Sequence, residues 1–140
     1  MAGLSPKLPV LRDASDGYAL TKSYTEMVLQ NLKNLLLTVP GERMMDPLFG
    51  VGLKKFIFEQ HDVGTYANIH AKTLNQTKKY LPFIVIDDMV FYGPNGVWSA
   101  VYGSGPDPLP SAELNLLQIK LFLTVTPLAE SATLDLSLQV

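Results

Sequence analysis

Apolar residues recur at helical spacing between residues 23 and 39. The intervals of three and four residues are typical of an amphipathic helix with one buried face. The stripe consists of Tyr24, Val28, Leu32, Leu35 and Leu36. Ser23 and Glu26 have the spacing of a capping box, in which the two side chains satisfy backbone donors reciprocally. We therefore predict that a helix begins at Ser23 and ends by Val39, because Pro40 disfavours a helical residue before it.

Two further helices are predicted before residue 82. A short one carries its apolar residues on a single face, which consists of Leu53, Phe56 and Ile57. A longer one is predicted over residues 63–80, because Asp62 suits an N-cap and Pro82 ends the helical pattern. Its predicted buried stripe consists of Val63, Tyr66, Ala67, His70 and Leu74.

The C-terminal half changes to a period of two. Residues 83–92 are rich in β-branched and aromatic residues and predict a strand, which two consecutive aspartates interrupt in a way typical of a β-bulge. Residues 117–125 and 132–140 alternate apolar with polar side chains, as strands with one buried face do. A hairpin through residues 127–131 joins them. The pattern predicts an α+β fold in which N-terminal helices pack on one face of a small antiparallel sheet.

The segments outside these elements are rich in proline or glycine. Residues 1–16 have no helical period and predict an extended N-terminal arm, whereas residues 17–140 are predicted to form a single domain that opens with a short strand at 17–21. Residues 93–111 predict a long Gly/Pro-rich surface loop, in which only residues 97–102 could form a brief strand.

Composition narrows the classes of partner. The formal net charge of -2 provides no basic surface for nucleic acid. The absence of cysteine excludes thiolate nucleophiles, disulfides and cysteine-ligated zinc, and suits folding in a reducing cytoplasm. No stretch approaches the roughly 20 apolar residues of a membrane span or the apolar core of a signal peptide. The expectation is a protein without nucleic-acid or membrane partners.

Motifs for cofactors and metals are incomplete. The Gly-x-Gly at Gly50–Gly52 has Lys55 where a dinucleotide fingerprint requires glycine, and Lys55 is not followed by the Ser or Thr of a phosphate loop. His61, Asp62 and His70 do not have the spacing of a metal motif. We therefore expect no cofactor and no metal, and assign the two glycines to a tight turn.

Paired carboxylates, which a glycosidase needs, were sought among the acidic residues. The candidates by position are Glu42, Asp46, Glu59 and Asp62. Glu42 precedes Arg43 and is better suited to hydrogen bonds and ion pairs within a turn than to acid catalysis. The chain also lacks the Gly-x-Ser-x-Gly elbow of serine hydrolases. Gly103-Ser104-Gly105 does not have this pattern and lies in the Pro-rich region. We predict no catalytic residues.

A compound motif spans residues 13–59. Gly17-Tyr18-Ala19-Leu20-Thr21 precedes the first helix, and Phe58-Glu59 ends the motif. Between them lie Leu37-Thr38-Val39-Pro40-Gly41-Glu42-Arg43, Pro47-Leu48-Phe49-Gly50 and Gly52-Leu53. With these elements in this order, the chain resembles the baseplate wedge and sheath-initiator family of contractile-tailed phages, which also has members in type VI secretion baseplates.

The resemblance implies a structural subunit, located in the baseplate of a virion tail and assembled in the host cytoplasm, with a fold similar to the inner domain of tail sheath proteins. The implied partners are other wedge proteins and the tail sheath subunit, with tail tube or hub proteins as further candidates, in a ring around the tube. Some relatives are labelled lysozyme, so a peptidoglycan-degrading tail enzyme is the alternative. A sheath-like or other tail protein is a third possibility.

The resemblance also assigns roles to particular residues. A turn that supports the core or docks on wedge proteins is expected from Gly41, Glu42, Arg43, Pro47, Phe49, Gly50 and Gly52. Relatives typically carry Glu-Pro-Arg where this chain has Leu81, Pro82 and Phe83, so an apolar contact could replace an ionic one there. Further apolar candidates for partner contact are Phe83, Val85, Trp98 and Leu109.

The last strand is the predicted edge for strand addition. An exposed sheet edge offers unpaired main-chain donors and acceptors to a strand of a sheath subunit, and alternate side chains set the register. In residues 132–140 the apolar set is Leu134, Leu136 and Leu138. The simpler interpretation is an ordinary strand that completes the sheet, and both interpretations can hold together.

Overall fold

The helices lie where the apolar period is three to four residues. A computed structural model describes residues 3–93, 96–105, 116–126 and 128–139. The first helix, α1, spans Tyr24–Leu37, α2 spans Leu53–Phe56 and α3 spans Val63–Tyr80. All three predicted helices are present, and the α+β class is confirmed. Within the described residues, no helix is both long and apolar enough to cross a lipid bilayer.

Helix α1 begins after Ser23 as predicted, but the capping box is wrong. The Ser23 side chain makes no cap hydrogen bond. The Glu26 carboxylate instead pairs with the Lys7 ammonium at 2.7 Å, and Lys7 lowers the pKa of Glu26. Tyr24, a member of the predicted stripe, is exposed, whereas the other four members are buried.

Helix α3 has the predicted bounds and cap but a rotated buried face. The Asp62 carboxylate accepts the Thr65 N–H at 2.7 Å. The buried residues of α3 are Tyr66, Ile69, Thr73 and Thr77. The prediction was wrong for Val63 and Ala67, which are exposed. Thr73 is tolerated inside because its hydroxyl donates to the Ile69 carbonyl oxygen at 2.8 Å.

Five antiparallel strands form the main sheet. They are β5 (Ile84–Gly93), β6 (Gly96–Ser99), β7 (Gly103–Gly105), β8 (Leu116–Val125) and β9 (Glu130–Gln139), in the order β7-β6-β5-β8-β9. Strands β8 and β9 form the predicted hairpin, with Leu121 opposite Leu134. The register between β5 and β8 shifts between Ile86 and Asp88, which confirms the predicted bulge.

The prediction of one long surface loop at residues 93–111 was wrong within the described part. Residues 96–99 and 103–105 are strands β6 and β7, which extend the sheet beyond β5. The Asp88 carboxylate accepts the Ser99 hydroxyl at 2.9 Å and the Val101 N–H at 3.3 Å. These hydrogen bonds hold the turn between β6 and β7. Residues 106–111 lie outside the described residues.

The N-terminal residues fold back on the segment before α1. In two short antiparallel ladders, β1 (Ser5–Pro6) pairs with β4 (Leu20–Thr21) and β2 (Arg12–Asp13) pairs with β3 (Gly17–Tyr18). The Thr21 hydroxyl donates to the Ser5 carbonyl oxygen at 3.1 Å and is buried. The residues of the predicted arm are therefore extended and paired with residues 17–21.

The core lies between the helices and one face of the sheet. From β8 it receives Leu117, Ile119, Leu121, Leu123 and Val125, all buried. From the helices it receives Val28, Leu32, Leu35, Leu36, Leu53, Phe56, Tyr66 and Ile69. The opposite face of β8 carries half-buried side chains such as Lys120 and Phe122. One face of the sheet is thus covered, as the alternation predicted.

Candidate partner-binding surfaces

Strand β9 is an edge strand whose outward main-chain groups can be identified. Thr126 follows the last residue of β8. Its N–H donates to the Phe83 carbonyl oxygen at 3.0 Å, so the main-chain polar groups of Thr126 face β5. Main-chain direction alternates along an antiparallel strand. The main-chain groups therefore face β9 at Val125 and at every second residue before it. Their partners in β9 are Glu130 and every second residue after it. The outward donors and acceptors of β9 belong to Ser131, Thr133, Asp135 and Ser137.

The outer edge of β9 has little of the usual protection against pairing, since Asp135 is the one charged residue in the middle of the strand. Among the described residues, none makes a main-chain hydrogen bond to this side of the strand. Natural sheets protect exposed edges with proline, lysine, bulges or short strands. Strand β9 is 10 residues long and contains neither proline nor lysine, and its pairing with β8 runs from Glu130 to Gln139 without a register shift. It is a long, regular edge.

A groove of about 390 Å³ lies beside this edge. Its apolar lining comes from the arm, from α1 and from β9, and consists of Leu8, Pro9, Leu29, Leu37 and Leu134. The polar lining consists of Lys7, Glu26, Gln30, Lys33 and Asn34. Leu134 and Leu138 are half-buried and Leu136 is buried. Side chains of a strand added to β9 would meet this groove on the helix-covered face.

The groove wall formed by the arm is fixed to α1 by Gln30. The Gln30 carboxamide accepts the Leu8 N–H at 3.0 Å and donates to the Pro6 carbonyl oxygen at 2.9 Å. One side chain thus satisfies both main-chain groups, and the Lys7–Glu26 ion pair lies on the same side. The arm is positioned next to β9 by specific polar contacts.

The Gly-Glu-Arg segment forms a turn closed by its own polar groups. The Gly41 N–H donates to the Pro47 carbonyl oxygen at 2.9 Å, and the Glu42 N–H to the Val39 carbonyl oxygen at 3.0 Å. The Glu42 carboxylate accepts the Val39 N–H at 3.1 Å. Glu42 is therefore engaged in the turn, which agrees with the sequence interpretation.

Gly50 is required by close packing within the same turn. It has a positive φ of 110°, and a Cβ there would overlap the Thr38 carbonyl oxygen. Gln76 of α3 holds the segment, because its Oε1 accepts the Gly50 N–H at 3.1 Å and its Nε2 donates to the Leu48 carbonyl oxygen at 3.0 Å. Gly52 also has positive φ, at 74°, and packs against Pro40.

A second cavity, of about 220 Å³, opens beside Arg43. The Arg43 guanidinium lies over the Phe49 ring, 3.7 Å from its centroid. Phe49 in turn makes an edge contact with Tyr80, with ring centroids 4.8 Å apart. The remaining lining residues are Asn31, Asn34, Leu35 and Leu81. Elements α1, α3 and the turn thus meet at this point.

The tripeptide Leu81-Pro82-Phe83 is partly buried. Leu81 and Phe83 are half-buried and pack on the core, and Pro82 is exposed. Of the other apolar candidates, Trp98 is half-buried and Val85 is 50% exposed. Leu109 lies outside the described residues. A role in partner binding for these residues stays a prediction.

The candidate catalytic and metal-binding side chains are engaged in the fold or exposed. Asp62 caps α3, and the Thr65 N–H lowers its pKa. The His61 Nδ1 lies 3.3 Å from the Tyr66 hydroxyl, and the His70 ring packs beside Trp98, with centroids 6.4 Å apart. Among the described residues, no group of three His, Asp or Glu side chains could hold a metal.

The sequence model of a family described as "Baseplate wedge protein gp25" matches residues 22–87, just under half of the chain. Over this segment the chain is similar to the baseplate wedge family. The matched segment contains helices α1 to α3, the Gly-Glu-Arg turn and the start of β5. Strand β9 lies outside it, so the edge is known from the structure and not from the family match.

Two solved structures have the same fold as this chain. A crystal structure of a "putative tail lysozyme" from Geobacter sulfurreducens has a TM-score of 0.64 and 20% identity, and covers 87% of this chain and 96% of that chain. A cryo-EM structure of the anti-feeding prophage baseplate has a TM-score of 0.62 and 24% identity, with coverages of 86% and 83%. No curated protein matches the chain significantly. At these identities the structures establish the fold.

The structure brings together residues that the sequence did not connect. Asn31, Asn34 and Tyr80 join Arg43 at the smaller cavity, and Gln30 fixes the arm beside β9. The signal that could have indicated the first group is the row of asparagines on the polar side of α1. No local pattern indicates the second, because its partners lie more than twenty residues apart.

Proposed function

We propose that this chain is a structural wedge subunit of a contractile-tail baseplate that pairs the outer edge of β9 with a strand of a tail sheath subunit. The match of residues 22–87 to the baseplate wedge family supports the baseplate role. The observation that carries the finer proposal is the regular edge of β9, whose outward main-chain groups at Ser131, Thr133, Asp135 and Ser137 have no partner among the described residues. Such an edge would template the first sheath ring.

The groove beside β9 supplies the specificity that main-chain pairing lacks. Main-chain hydrogen bonds provide affinity in strand addition, and pockets for alternate side chains select the partner. Leu29, Leu37 and Leu134 offer an apolar surface to such side chains. The remaining partners we propose are other wedge proteins, together with tube or hub proteins, in a ring assembled in the host cytoplasm.

A proline at an outward position tests the strand addition. Thr133→Pro removes an outward N–H and leaves the bonds to β8 in place, whereas Thr133→Ala removes the same side chain and keeps the N–H. With purified sheath subunit of the same particle, we expect wild type and Thr133→Ala to form a complex and to slow amide exchange at Thr133, Asp135 and Ser137. Thr133→Pro should bind at least tenfold more weakly.

Two results of this experiment would contradict the proposal. One is equal binding of sheath by Thr133→Pro and Thr133→Ala. The other is a complex in which amide exchange along β9 is unchanged from that of the free chain.

A peptidoglycan hydrolase is the alternative, because one structural neighbour is named as a tail lysozyme. The Glu42 carboxylate accepts a main-chain N–H within its turn, so it is engaged in the fold and is a poor candidate for the general acid. We expect no clearing in a turbidity assay on isolated cell walls. Clearing that Glu42→Gln or Glu59→Gln abolishes would establish the enzyme instead.

A further inference from the structure

Arg43 has no carboxylate partner within the described part of the chain. The ion pairs there are Lys7 with Glu26 and Lys120 with Asp135. Its neighbour Glu42 turns toward the Val39 N–H. Arg43 is also the one charged residue among those that line the 220 Å³ cavity, so the cavity carries a positive charge that nothing in the described fold neutralises.

The stacking on Phe49 holds the Arg43 guanidinium in place. A guanidinium stacked on an aromatic face keeps its N–H edges free for bidentate recognition of a carboxylate. At 3.7 Å from the ring centroid, the Arg43 group is in full contact with Phe49. Because Phe49 is itself packed against Tyr80, the cation is presented on a rigid base.

The other walls fit the rest of an acidic side chain. Asn31 and Asn34 bring carboxamides that can donate to carboxylate oxygens. Tyr80 has a buried hydroxyl that makes no hydrogen bond to the described residues. Leu35 and Leu81 provide apolar surface for methylene groups. The volume is below the roughly 300–1,000 Å³ of small-molecule pockets, so it suits a single side chain.

We propose that this cavity receives an aspartate or glutamate side chain from a neighbouring protein of the baseplate, with Arg43 as the anchoring cation. The site is distinct from the β9 edge, although Asn34 lines both this cavity and the groove beside β9. It would add an ionic contact beside the tripeptide Leu81-Pro82-Phe83, which carries no charge.

The two arginines of the sequence make a direct test possible. In a ¹⁵N-labelled chain, Arg12 and Arg43 give two Nε–Hε signals, which Arg12→Gln assigns. Titration with glutamate blocked at both ends (N-acetyl, N′-methylamide) should shift the Arg43 signal and the carboxamides of Asn31 and Asn34 to saturation. The equally blocked glutamine should bind about tenfold more weakly, because one charge-assisted hydrogen-bonded contact is lost.

Variants separate the anchor from the fold. Arg43→Gln should abolish the carboxamide shifts, Arg43→Lys should retain part of them, and Arg12→Gln should leave them unchanged, all three with an unaltered backbone spectrum. Equal, non-saturating shifts at both arginines would overturn the proposal, as would equal binding of blocked glutamine. Tighter binding of inorganic phosphate than of blocked glutamate would assign the cavity to another anion. None of these outcomes depends on Thr133 or on β9.

Discussion

The Thr126 N–H donates to the Phe83 carbonyl oxygen, and this hydrogen bond fixes which main-chain groups of β9 face outward. Because Thr126 points toward β5, Val125 points toward Glu130 of β9. The alternation then continues to the end of the hairpin. The residues of β9 whose main-chain groups bond to β8 therefore include the ones with apolar side chains, Leu134, Leu136 and Leu138.

Proline at neighbouring positions of β9 should have unequal effects on stability. Thr133→Pro removes a donor that faces solvent and should lower the free energy of unfolding by about 1 kcal/mol or less. Leu134→Pro removes a ladder hydrogen bond as well as an apolar side chain and should cost about 3 kcal/mol or more. Urea denaturation measures both. Equal losses would mean that the assigned parity is wrong.

Gly50 should be far less replaceable than Gly41, although both have positive φ. At Gly41 a Cβ would meet no atom within 4 Å, so Gly41→Ala should cost only backbone strain, about 1–2 kcal/mol. At Gly50 a Cβ would overlap the Thr38 carbonyl oxygen, so Gly50→Ala should cost about 3 kcal/mol or more. Thermal unfolding of Gly41→Ala and Gly50→Ala measures both losses of stability. Similar losses in the two variants would contradict the close approach of Gly50 to Thr38.

Gln76, which is half-buried at the border of the buried face of α3, should be a stability determinant. Gln76→Ala leaves the Gly50 N–H and the Leu48 carbonyl oxygen without their partner, which should cost about 2 kcal/mol. Gln76→Glu keeps the acceptor and loses the donor, so an intermediate loss is expected in denaturant unfolding. If both variants matched wild type, water would be an adequate substitute for this side chain.

Asp62 should make stability depend on acid pH. Its pKa is lowered in the folded chain by the Thr65 N–H. Its contribution is therefore complete above the ordinary pKa of aspartate and is lost as pH falls through the lowered pKa. Asp62→Asn keeps a capping oxygen and loses the charge. Wild type should exceed Asp62→Asn in Tm at neutral pH, and the difference should shrink as the medium becomes strongly acidic.

A persistent Tm difference below the lowered pKa would contradict this account. Asp62→Ala provides the control, because it removes the capping oxygen at every pH and should remain less stable than Asp62→Asn throughout.

The helix bounds could be predicted because the decisive signals are local. Asp62 and Pro82 delimit α3 through contacts within a few residues. The buried face of α3 could not be predicted, because apolar Val63 and Ala67 lie outside while Thr73 and Thr77 lie inside. Residue polarity was misleading there: the Thr73 hydroxyl bonds to its own helix, whereas the Thr77 hydroxyl is buried without a partner among the described residues.

The predictions that were wrong concern features that depend on residues far apart in the sequence. Strands β6 and β7 lie in a glycine-rich segment that looks like a loop, and the Asp88–Ser99 hydrogen bonds help to hold them. The capping box failed because Lys7, from the arm, takes the Glu26 carboxylate. Such contacts leave no trace in local periodicity.

The candidate surfaces could be predicted only in part. The last strand was predicted to be the edge, and β9 does lie at the border of the sheet. The groove beside Leu134 and the cavity beside Arg43 each combine three separate segments of the chain. Only the folded arrangement brings their walls together.

The register shift at Asp87 has a consequence for the length of β5. Before it, the helix-covered side carries Ile84 and Ile86; after it, that side carries Met89 and Phe91, so the inserted residue switches the inward set from even to odd numbers. Loss of Asp87 alone would leave Ile86, Met89 and Phe91 in regular alternation on the helix-covered side, opposite the same β8 partners. Deletion of one residue elsewhere in β5, such as Val85, would instead turn Ile86 outward or move the bulge, so the strand tolerates a shorter length at one position only.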